Sequence, residues 1–141
     1  MSEADVQVVL DQFEAVNERD FQRAMDGYAD DVVLVIEGVF LNAGVFAGKE
    51  AVGEWFGDWF RAFGSDHHFD IIEARELSDG LVFIFSEYGG SGRASGAKVQ
   101  QETAYLYRVE QGRVKRVQLF ATRDEALEAA ALPEWSEGQT D

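Results

Sequence analysis

The chain of 141 residues contains no cysteine, a single proline and two histidines, and it has no long apolar run. Without cysteine there is no disulfide framework and no thiolate chemistry. The start, MSEADVQVVL, lacks the basic residues and long apolar core of a secretory signal, and no apolar run is long enough to span a bilayer. These absences predict a soluble, cytoplasmic protein.

Positive charge is also scarce, with 12 Lys and Arg against 27 Asp and Glu and a formal net charge of −15. Such a charge repels phosphate backbones and anionic lipid head groups. Nucleic acids and membrane surfaces are therefore not expected as partners. The acidic residues are spread along the chain, so we interpret them as a solvated surface that favours solubility, with adaptation to high salt as the alternative.

Apolar residues make up 46% of the chain, including 11 Phe, 4 Tyr and 3 Trp, which is ample for a packed interior. A chain of this length buries enough surface for one core. We predict a single domain over residues 1–132, followed by a loose acidic tail over residues 133–141.

The stretch Lys98–Thr122, KVQQETAYLYRVEQGRVKRVQLFAT, predicts an antiparallel hairpin. Two alternating runs flank a short connection that contains Gly112, which is the pattern of a β-hairpin. Both faces of both strands mix apolar and polar residues, whereas a sheet with one wet face alternates more cleanly. We infer that helices cover one face over a partly polar cavity, and that a second subunit covers part of the other.

Apolar residues at helical spacing predict helices over Asp5–Asn17, from the cap Asp20 through Tyr28 to a stop at Asp30 and Asp31, and after Gly48. The third helix carries large apolar side chains over more than half of its circumference, so it must lie against a broad surface. These side chains are Val52, Trp55, Phe56, Trp59, Phe60 and Phe63. They either cover the core alone or, at Trp55 and Trp59, also form the wall of a ligand cavity.

The remaining segments are predicted to be strands, loops and a last helix. Gly38–Gly48 is predicted to be a loop, and Gly89–Gly96, GGSGRASG, a mobile one. Asp124 is expected to cap a final helix that Pro133 ends. The predicted strands are Val32–Glu37, Phe69–Leu77 and Leu81–Tyr88.

This order of elements predicts an α+β domain whose helices gather on one side of a curved sheet. The chain resembles the SnoaL-like group of the nuclear transport factor 2 superfamily. The segments that carry the resemblance occur in the expected order along most of the chain. They are YADDVVL at residues 28–34, FAGKEAV at 46–52, SGAKV at 95–99, YRVEQGRVKRV at 107–117 and RDEALEAAAL at 123–132.

The resemblance implies a cone-shaped fold in which N-terminal helices pack on a curved mixed or antiparallel sheet and enclose a pocket. It also implies a homodimer through the outer face of the sheet. Members of the superfamily include polyketide cyclases, ketosteroid isomerases, scytalone dehydratases and limonene epoxide hydrolases, and also binding or assembly proteins without catalysis. The fold therefore does not settle the function.

The catalytic sets of these relatives are not kept here. On an ungapped match, the isomerase base and the hydrolase's water-positioning amide both fall at Ile36. The isomerase's tyrosine donor falls at Gln12, and its protonated acid falls near Tyr105. The hydrolase's carboxylate on the last strand falls at Gln118. The resemblance thus predicts a pocket without naming a reaction.

The same match places a wall of hydrogen-bonding groups and rings on the pocket side of the sheet. With Tyr28, Trp55 and Trp59 these residues form the predicted binding site for a small hydrophobic, aromatic or polycyclic molecule, and a Tyr or Gln there would suit a developing oxyanion. Alternatively, they satisfy one another in a filled interior. The residues of the wall are Ser86, Tyr88, Gln101, Thr103, Tyr105, Tyr107, Arg116, Gln118 and Phe120.

The candidate catalytic residues are His68 and Glu37. Adjacent residues of a strand face opposite ways, so at most one of His67 and His68 enters the pocket. His68 is either the pocket base, near Asp70, or an exposed residue at the start of a strand. Glu37 would need a β-bulge to reach the pocket. A lone adjacent His pair lacks metal-ligand spacing, so neither a metal nor a cofactor is predicted.

The sequence leaves three functions open. The first is a cofactor-free enzyme of the cyclase, isomerase or dehydratase type that acts on a small aromatic or polycyclic molecule. The second is a small-molecule-binding dimer without turnover, and the third is a structural or assembly dimer. A His68 or Glu37 side chain inside the cavity would favour the enzyme, whereas exposure of both to water would count against it.

Overall fold

The computed structural model describes residues 3–36, 44–61, 68–91 and 98–136. The strands form one sheet in the order β2-β1-β6-β5-β4-β3, in which β1 and β6 run parallel and the other neighbours antiparallel. The predicted α+β class with a mixed sheet is confirmed. The elements are α1 (Glu3–Asn17), α2 (Phe21–Asp26), β1 (Tyr28–Ile36), β2 (Gly44–Ala47), α3 (Lys49–Arg61), β3 (His68–Ser78), β4 (Leu81–Ser91), β5 (Lys98–Glu110), β6 (Arg113–Phe120), α4 (Arg123–Ala130) and α5 (Pro133–Ser136).

Several boundaries differ from the prediction. Tyr28 opens β1 instead of closing α2, and β2 lies inside the predicted loop because four residues are too few to show an alternating pattern. Thr122, not Asp124, caps α4, and its hydroxyl accepts a hydrogen bond from the Glu125 N–H at 3.1 Å. The predicted mobile loop begins later than expected, since β4 runs to Ser91, and residues 92–96 lie outside the described ranges.

The predicted loose tail is wrong for its first four residues. Pro133–Ser136 forms the short helix α5, and the Trp135 side chain is fully buried. A single indole between Glu134 and Ser136 in a short acidic segment carries no periodic signal, so the sequence pattern did not indicate burial. Residues 137–141 lie outside the described part of the chain.

Side chains from the two faces of the sheet form two separate apolar clusters. On one face, here called the inner face, α1 and α3 supply Val9, Phe13, Val52 and Trp55 to the larger cluster. On the opposite face, here called the outer face, α4 and α5 cover a smaller cluster. It comprises Leu81, Phe83, Ala104, Leu106, Ala126 and Trp135.

Arginines fix α4 and α5 to the outer face. Arg123 forms two hydrogen bonds to the Glu73 carboxylate, at 2.8 and 3.1 Å, and its guanidinium lies 5.6 Å from the centre of the Phe83 ring. Arg108 donates to the backbone oxygen of Trp135, and Arg116 lies 4.8 Å over the indole ring. The chain's own helices thus occupy surface that the sequence assigned to a second subunit. The homodimer stays a prediction, and its interface would have to use these helices or the uncovered strands.

Gly80, in the turn between β3 and β4, is closely approached by β5. Its backbone has φ +76°, and a Cβ there would lie 2.8 Å from the backbone oxygen of Val109. Gly112 has a similar φ of +80°, with nothing within 4 Å of its Cβ position. Alanine at either position would have to adopt a left-handed backbone conformation, which costs roughly 1–2 kcal/mol. Gly80→Ala adds the clash, which costs roughly 1–3 kcal/mol more.

We therefore expect Gly80→Ala to lower the free energy of unfolding clearly more than Gly112→Ala does, as measured by urea denaturation of both variants. The two substitutions share their chemistry and their backbone conformation, so the difference between them reports the contact with Val109. Equal losses would show that β5 does not approach Gly80 this closely.

Candidate functional site

A bulge in β6 decides which side chains share the inner face with the tyrosines of β5. Val109 pairs with Val114, but Arg108 pairs with Arg116, so Lys115 is the additional residue of β6. Its ammonium group binds both carboxylate oxygens of Asp31 on β1, at 2.8 and 2.9 Å. A one-residue shift moves every later side chain to the opposite face.

The prediction that Arg116, Gln118 and Phe120 line a pocket with the tyrosines is therefore wrong. A hairpin without a bulge would have placed Arg116 opposite Tyr107, but Val117 takes that position. The three residues lie on the outer face instead. Phe120 packs against the smaller apolar cluster there, and the register places Gln118 opposite Leu106.

All four tyrosines of the chain lie on the inner face and form what we call the tyrosine cluster: Tyr28, Tyr88, Tyr105 and Tyr107. Each is at most 7% exposed. The rings of Tyr105 and Tyr107 stack with their centres 5.9 Å apart. Tyr28 is the first residue of β1, yet its hydroxyl is close enough to Tyr105 and Tyr107 to interact electrostatically with both.

Two phenylalanines that the sequence did not single out as site residues frame this cluster. Phe13 of α1 points its ring edge-on at Tyr105 and Tyr107, at 5.3 and 6.2 Å, and at Phe69, at 5.2 Å. The centres of the Phe69 and Tyr88 rings are in turn 4.6 Å apart. The helical spacing of α1 indicated that Phe13 faces the core, but the partners it meets depend on the sheet register.

Asn17, at the end of α1, holds Phe69 in place. Its side-chain amide donates to the Phe69 carbonyl and accepts from the Phe69 N–H, both at 2.9 Å. The amide thereby pairs with the free edge of β3 in the way a neighbouring strand would. The position of the Phe69 ring against Tyr88 is thus fixed through the backbone of β3.

Trp55 of α3 is one of the two tryptophans predicted to form the wall of a ligand cavity. It is buried in the larger cluster, 5.0 Å from Phe56 and 6.4 Å from Phe46 of β2. The side chain of Trp59 is outside the described set.

Gln101 shares a face with Tyr88, its register partner, but it is exposed. Ser86 and Thr103 are buried on the inner face.

The tyrosine hydroxyls are donors and not bases. Burial raises the pKa of Tyr28, Tyr105 and Tyr107 above the usual value, and neighbouring tyrosines add to the shift. At Tyr105 the Ser86 hydroxyl opposes the effect of burial on the pKa. Because the neutral form of a phenol carries the O–H, all three groups stay protonated well above neutral pH.

The hydroxyls of Ser86 and Tyr105 hydrogen-bond to each other, whereas the buried amide oxygen of Gln12 has no hydrogen-bond partner within the described part of the chain. Gln12 uses its Nε2 to donate to the Ala24 carbonyl at 3.0 Å. A buried polar atom without a partner costs roughly 1–3 kcal/mol. The inner face therefore presents one buried acceptor, the Gln12 amide oxygen, whose bonding capacity the described part of the fold does not use.

His68 does not take part in this site. Phe69 points to the inner face, so its neighbours His68 and Asp70 point to the outer one. The His68 side chain is 55% exposed, and its Nε2 lies 3.1 Å from the Asp70 carboxylate. The hypothesis of His68 as the pocket base is wrong for this reason. Glu37, the other candidate base, lies outside the described residues and stays a prediction.

The model of the SnoaL-like domain matches residues 9–117. The chain belongs to the SnoaL-like family. The matched range contains every residue of the tyrosine cluster, together with Phe13 and Phe69. Trp135 and the two helices that cover the outer face follow the matched range.

Solved structures share the fold of this SnoaL-like protein at low sequence identity. TerC, co-crystallised with polyporic acid, is 16% identical with a TM-score of 0.74, covering 89% of this chain and 97% of that one. RV0760c from Mycobacterium tuberculosis, in complex with estradiol-17beta-hemisuccinate, is 19% identical with a TM-score of 0.72, covering 87% and 97%. An NTF2-like protein of unknown function from Burkholderia pseudomallei is 17% identical with a TM-score of 0.73, covering 94% and 100%. No curated protein matches the sequence.

No three His, Cys, Asp or Glu side chains in the described ranges come together in a group that would hold a metal ion. None of the helices in those ranges has the length and apolar character needed to cross a membrane.

Proposed function

We propose that the protein binds a small aromatic or polycyclic molecule against the tyrosine cluster on the inner face. The observation that carries the proposal is the convergence of six rings from α1 and four strands on one buried surface. Flat apolar rings pack well against aromatic faces, and a few polar groups orient the ligand. The six rings are those of Phe13, Tyr28, Phe69, Tyr88, Tyr105 and Tyr107.

Two proteins that share the fold support this ligand class. One was crystallised with polyporic acid and the other with an estradiol ester. These are properties of those proteins, and at such low identity the likeness extends to this chain as fold-level analogy. The analogy agrees with the residues found independently on the inner face.

Catalysis of the cyclase, isomerase or dehydratase type is the second candidate. The buried hydroxyls of Ser86 and Tyr105 favour it, because preorganised donors stabilise a developing oxyanion. Proton abstraction also requires a base, and His68 points away from the rings. The role would fall to Glu37. Binding without turnover needs no such group, and we therefore rank it first.

We expect a ligand of this class to be detected by two-dimensional NMR titration of the full chain with a set of two- and three-ring aromatics. Ring signals of the four tyrosines should shift saturably for at least one member. The indole N–H signal of Trp135 should stay in place, since this residue lies under the outer face.

The Trp135 signal is an internal control within the same sample, because it separates binding at the inner face from general hydrophobic adsorption. Saturable shifts at Trp135 with silent tyrosines would move the site to the other side of the sheet. A complete lack of saturable shifts across the set would contradict small-molecule binding and leave the structural role.

A further inference from the structure

We propose that an aromatic molecule enters the site through the contact between the end of α1 and the start of β3, and that the Asn17 side chain holds this entrance closed. We call the contact, formed by Phe13, Asn17 and Phe69, the seam. The inference rests on the proposed binding function and adds how access to the site is controlled. None of the six rings of the site is more than 7% exposed, so a covering element has to move before a ligand can touch them.

The seam is held by one side chain at an edge of the sheet. β3 is the last strand in the order of the described sheet. The Asn17 amide binds its edge by donating to the Phe69 carbonyl and accepting from the Phe69 N–H, both at 2.9 Å. β3 and β4, by contrast, pair from His68 to Ser78. Opening the seam at Asn17 thus breaks two hydrogen bonds, fewer than separating β3 from β4 would.

The rings on the two sides of the seam cover tyrosines. Phe13 precedes Asn17 by about one helical turn and meets Tyr105 edge-on at 5.3 Å. The ring centres of Phe69 and Tyr88 are 4.6 Å apart. When α1 and β3 part at Asn17, the contact between the Phe13 and Phe69 rings at 5.2 Å is lost, and Tyr88 and Tyr105 are uncovered. The seam therefore leads directly to the proposed site.

α3, the other helix on the inner face, is held to the sheet through the chain itself. It follows β2 after one residue, Gly48, whose N–H donates to the Val32 carbonyl of β1 at 2.7 Å. Trp55 of α3 also packs 6.4 Å from Phe46 of β2. α1 and β3, in contrast, are far apart in the sequence and meet through side chains. Of the two helices, α1 is thus the one whose contact with the sheet edge is the simpler to open.

Tyrosine nitration by tetranitromethane, located by mass spectrometry, measures opening of the seam without a ligand. The reagent attacks the phenolate. Burial raises the pKa of Tyr28 and of Tyr105 alike, so a difference between their nitration rates reports access. Tyr105 lies near the seam, whereas Tyr28 is on β1, towards the far side of the sheet. In the parent protein, we expect Tyr88 and Tyr105 to be nitrated before Tyr28.

Asn17→Ala removes both hydrogen bonds and keeps α1, because alanine has the highest helix propensity. The nitration rates of Tyr88 and Tyr105 should rise about tenfold or more, as the loss of two net hydrogen bonds implies, while the rate of Tyr28 changes little. Hydrogen exchange of the Phe69 amide should also become faster, since this N–H loses its acceptor. Gly80→Ala is the matched control: it destabilises the fold and leaves the Asn17 amide in place, so it should not reproduce this pattern.

A kinetic measurement tests the seam as an entrance. For the two- or three-ring aromatic that shifts the tyrosine signals in the NMR titration, line-shape analysis should give faster association with Asn17→Ala than with the parent. Unchanged association, unchanged nitration, or a rise at Tyr28 equal to that at Tyr88 would each refute the seam while aromatic binding stands. An equal rise in Gly80→Ala would also refute it. If no aromatic shifts the tyrosine signals, the proposed function falls, and the entrance falls with it whatever the nitration rates are.

Discussion

Replacing Trp135 with alanine is expected to lower the free energy of unfolding by about 3–5 kcal/mol, the range for removing a fully buried large aromatic side chain. The indole has no exposed surface and packs in the smaller apolar cluster, with Arg116 over its ring at 4.8 Å. The Arg108 guanidinium donates a hydrogen bond to the backbone oxygen of Trp135. Loss of the indole ring therefore also weakens the hydrogen bonding of this buried charge. Guanidinium chloride unfolding measures the change.

Leu132→Ala is the control for this prediction, because Leu132 lies in the same segment but is 50% exposed. It should change stability by less than about 0.5 kcal/mol, as surface substitutions usually do. The prediction would be contradicted if both substitutions lowered the free energy of unfolding only slightly. That result would mean that α5 is not held on the sheet. In that case the outer face would be open, as the sequence had suggested, for a second subunit.

The fold was predictable because its signals are periodic. The spacing of Val9 and Phe13 predicted an amphipathic α1, and the alternation around Gly112 predicted the β5–β6 hairpin. β2 and α5 were missed because four residues cannot display a period. Their positions depend on tertiary contacts instead, with β2 on the edge of β1 and α5 on the arginines of the outer face.

The site was predictable on β4 and β5 and not on β6. Ser86, Tyr88 and Tyr105 share the inner face because the β4–β5 pairing is regular along its whole length. In β6 a single additional residue at Lys115 reverses the face of Arg116, Gln118 and Phe120. The sequence alternates smoothly through this point, so it gives no local signal of the bulge. Both faces of β6 are covered by helices, and burial therefore did not distinguish them either.

The reversal also changes the chemistry expected of the site. With Arg116 on the inner face, a cation would have been available for an anionic ligand, and with Gln118 there, an amide. The observed register supplies Val117 and Leu119 instead. The inner face thus combines apolar side chains with neutral hydroxyl groups, and the bulge in β6 is the structural reason for this composition.

Alkaline titration is expected to unfold the protein steeply above about pH 10, the pKa of an unperturbed tyrosine. Burial raises the pKa of Tyr28, Tyr105 and Tyr107 in the native state, so above this pH the unfolded chain has released three protons that the folded chain still binds. Stability is fully present below the unfolded pKa and is lost as the pH rises, by about 1.4 kcal/mol per pH unit for each tyrosine, or about 4 for the three.

The measurement is urea unfolding at a series of pH values, combined with ultraviolet absorbance of tyrosinate. Native protein should show little tyrosinate until the far-ultraviolet circular dichroism signal is lost, and the two transitions should coincide. Tyr105→Phe removes one of the three titrating groups, so its stability should fall with a slope smaller by about 1.4 kcal/mol per pH unit. If tyrosinate formed near its ordinary pKa while the fold persisted, the hydroxyls would be open to water. The inner face would then not be the dry surface on which the proposed aromatic binding depends.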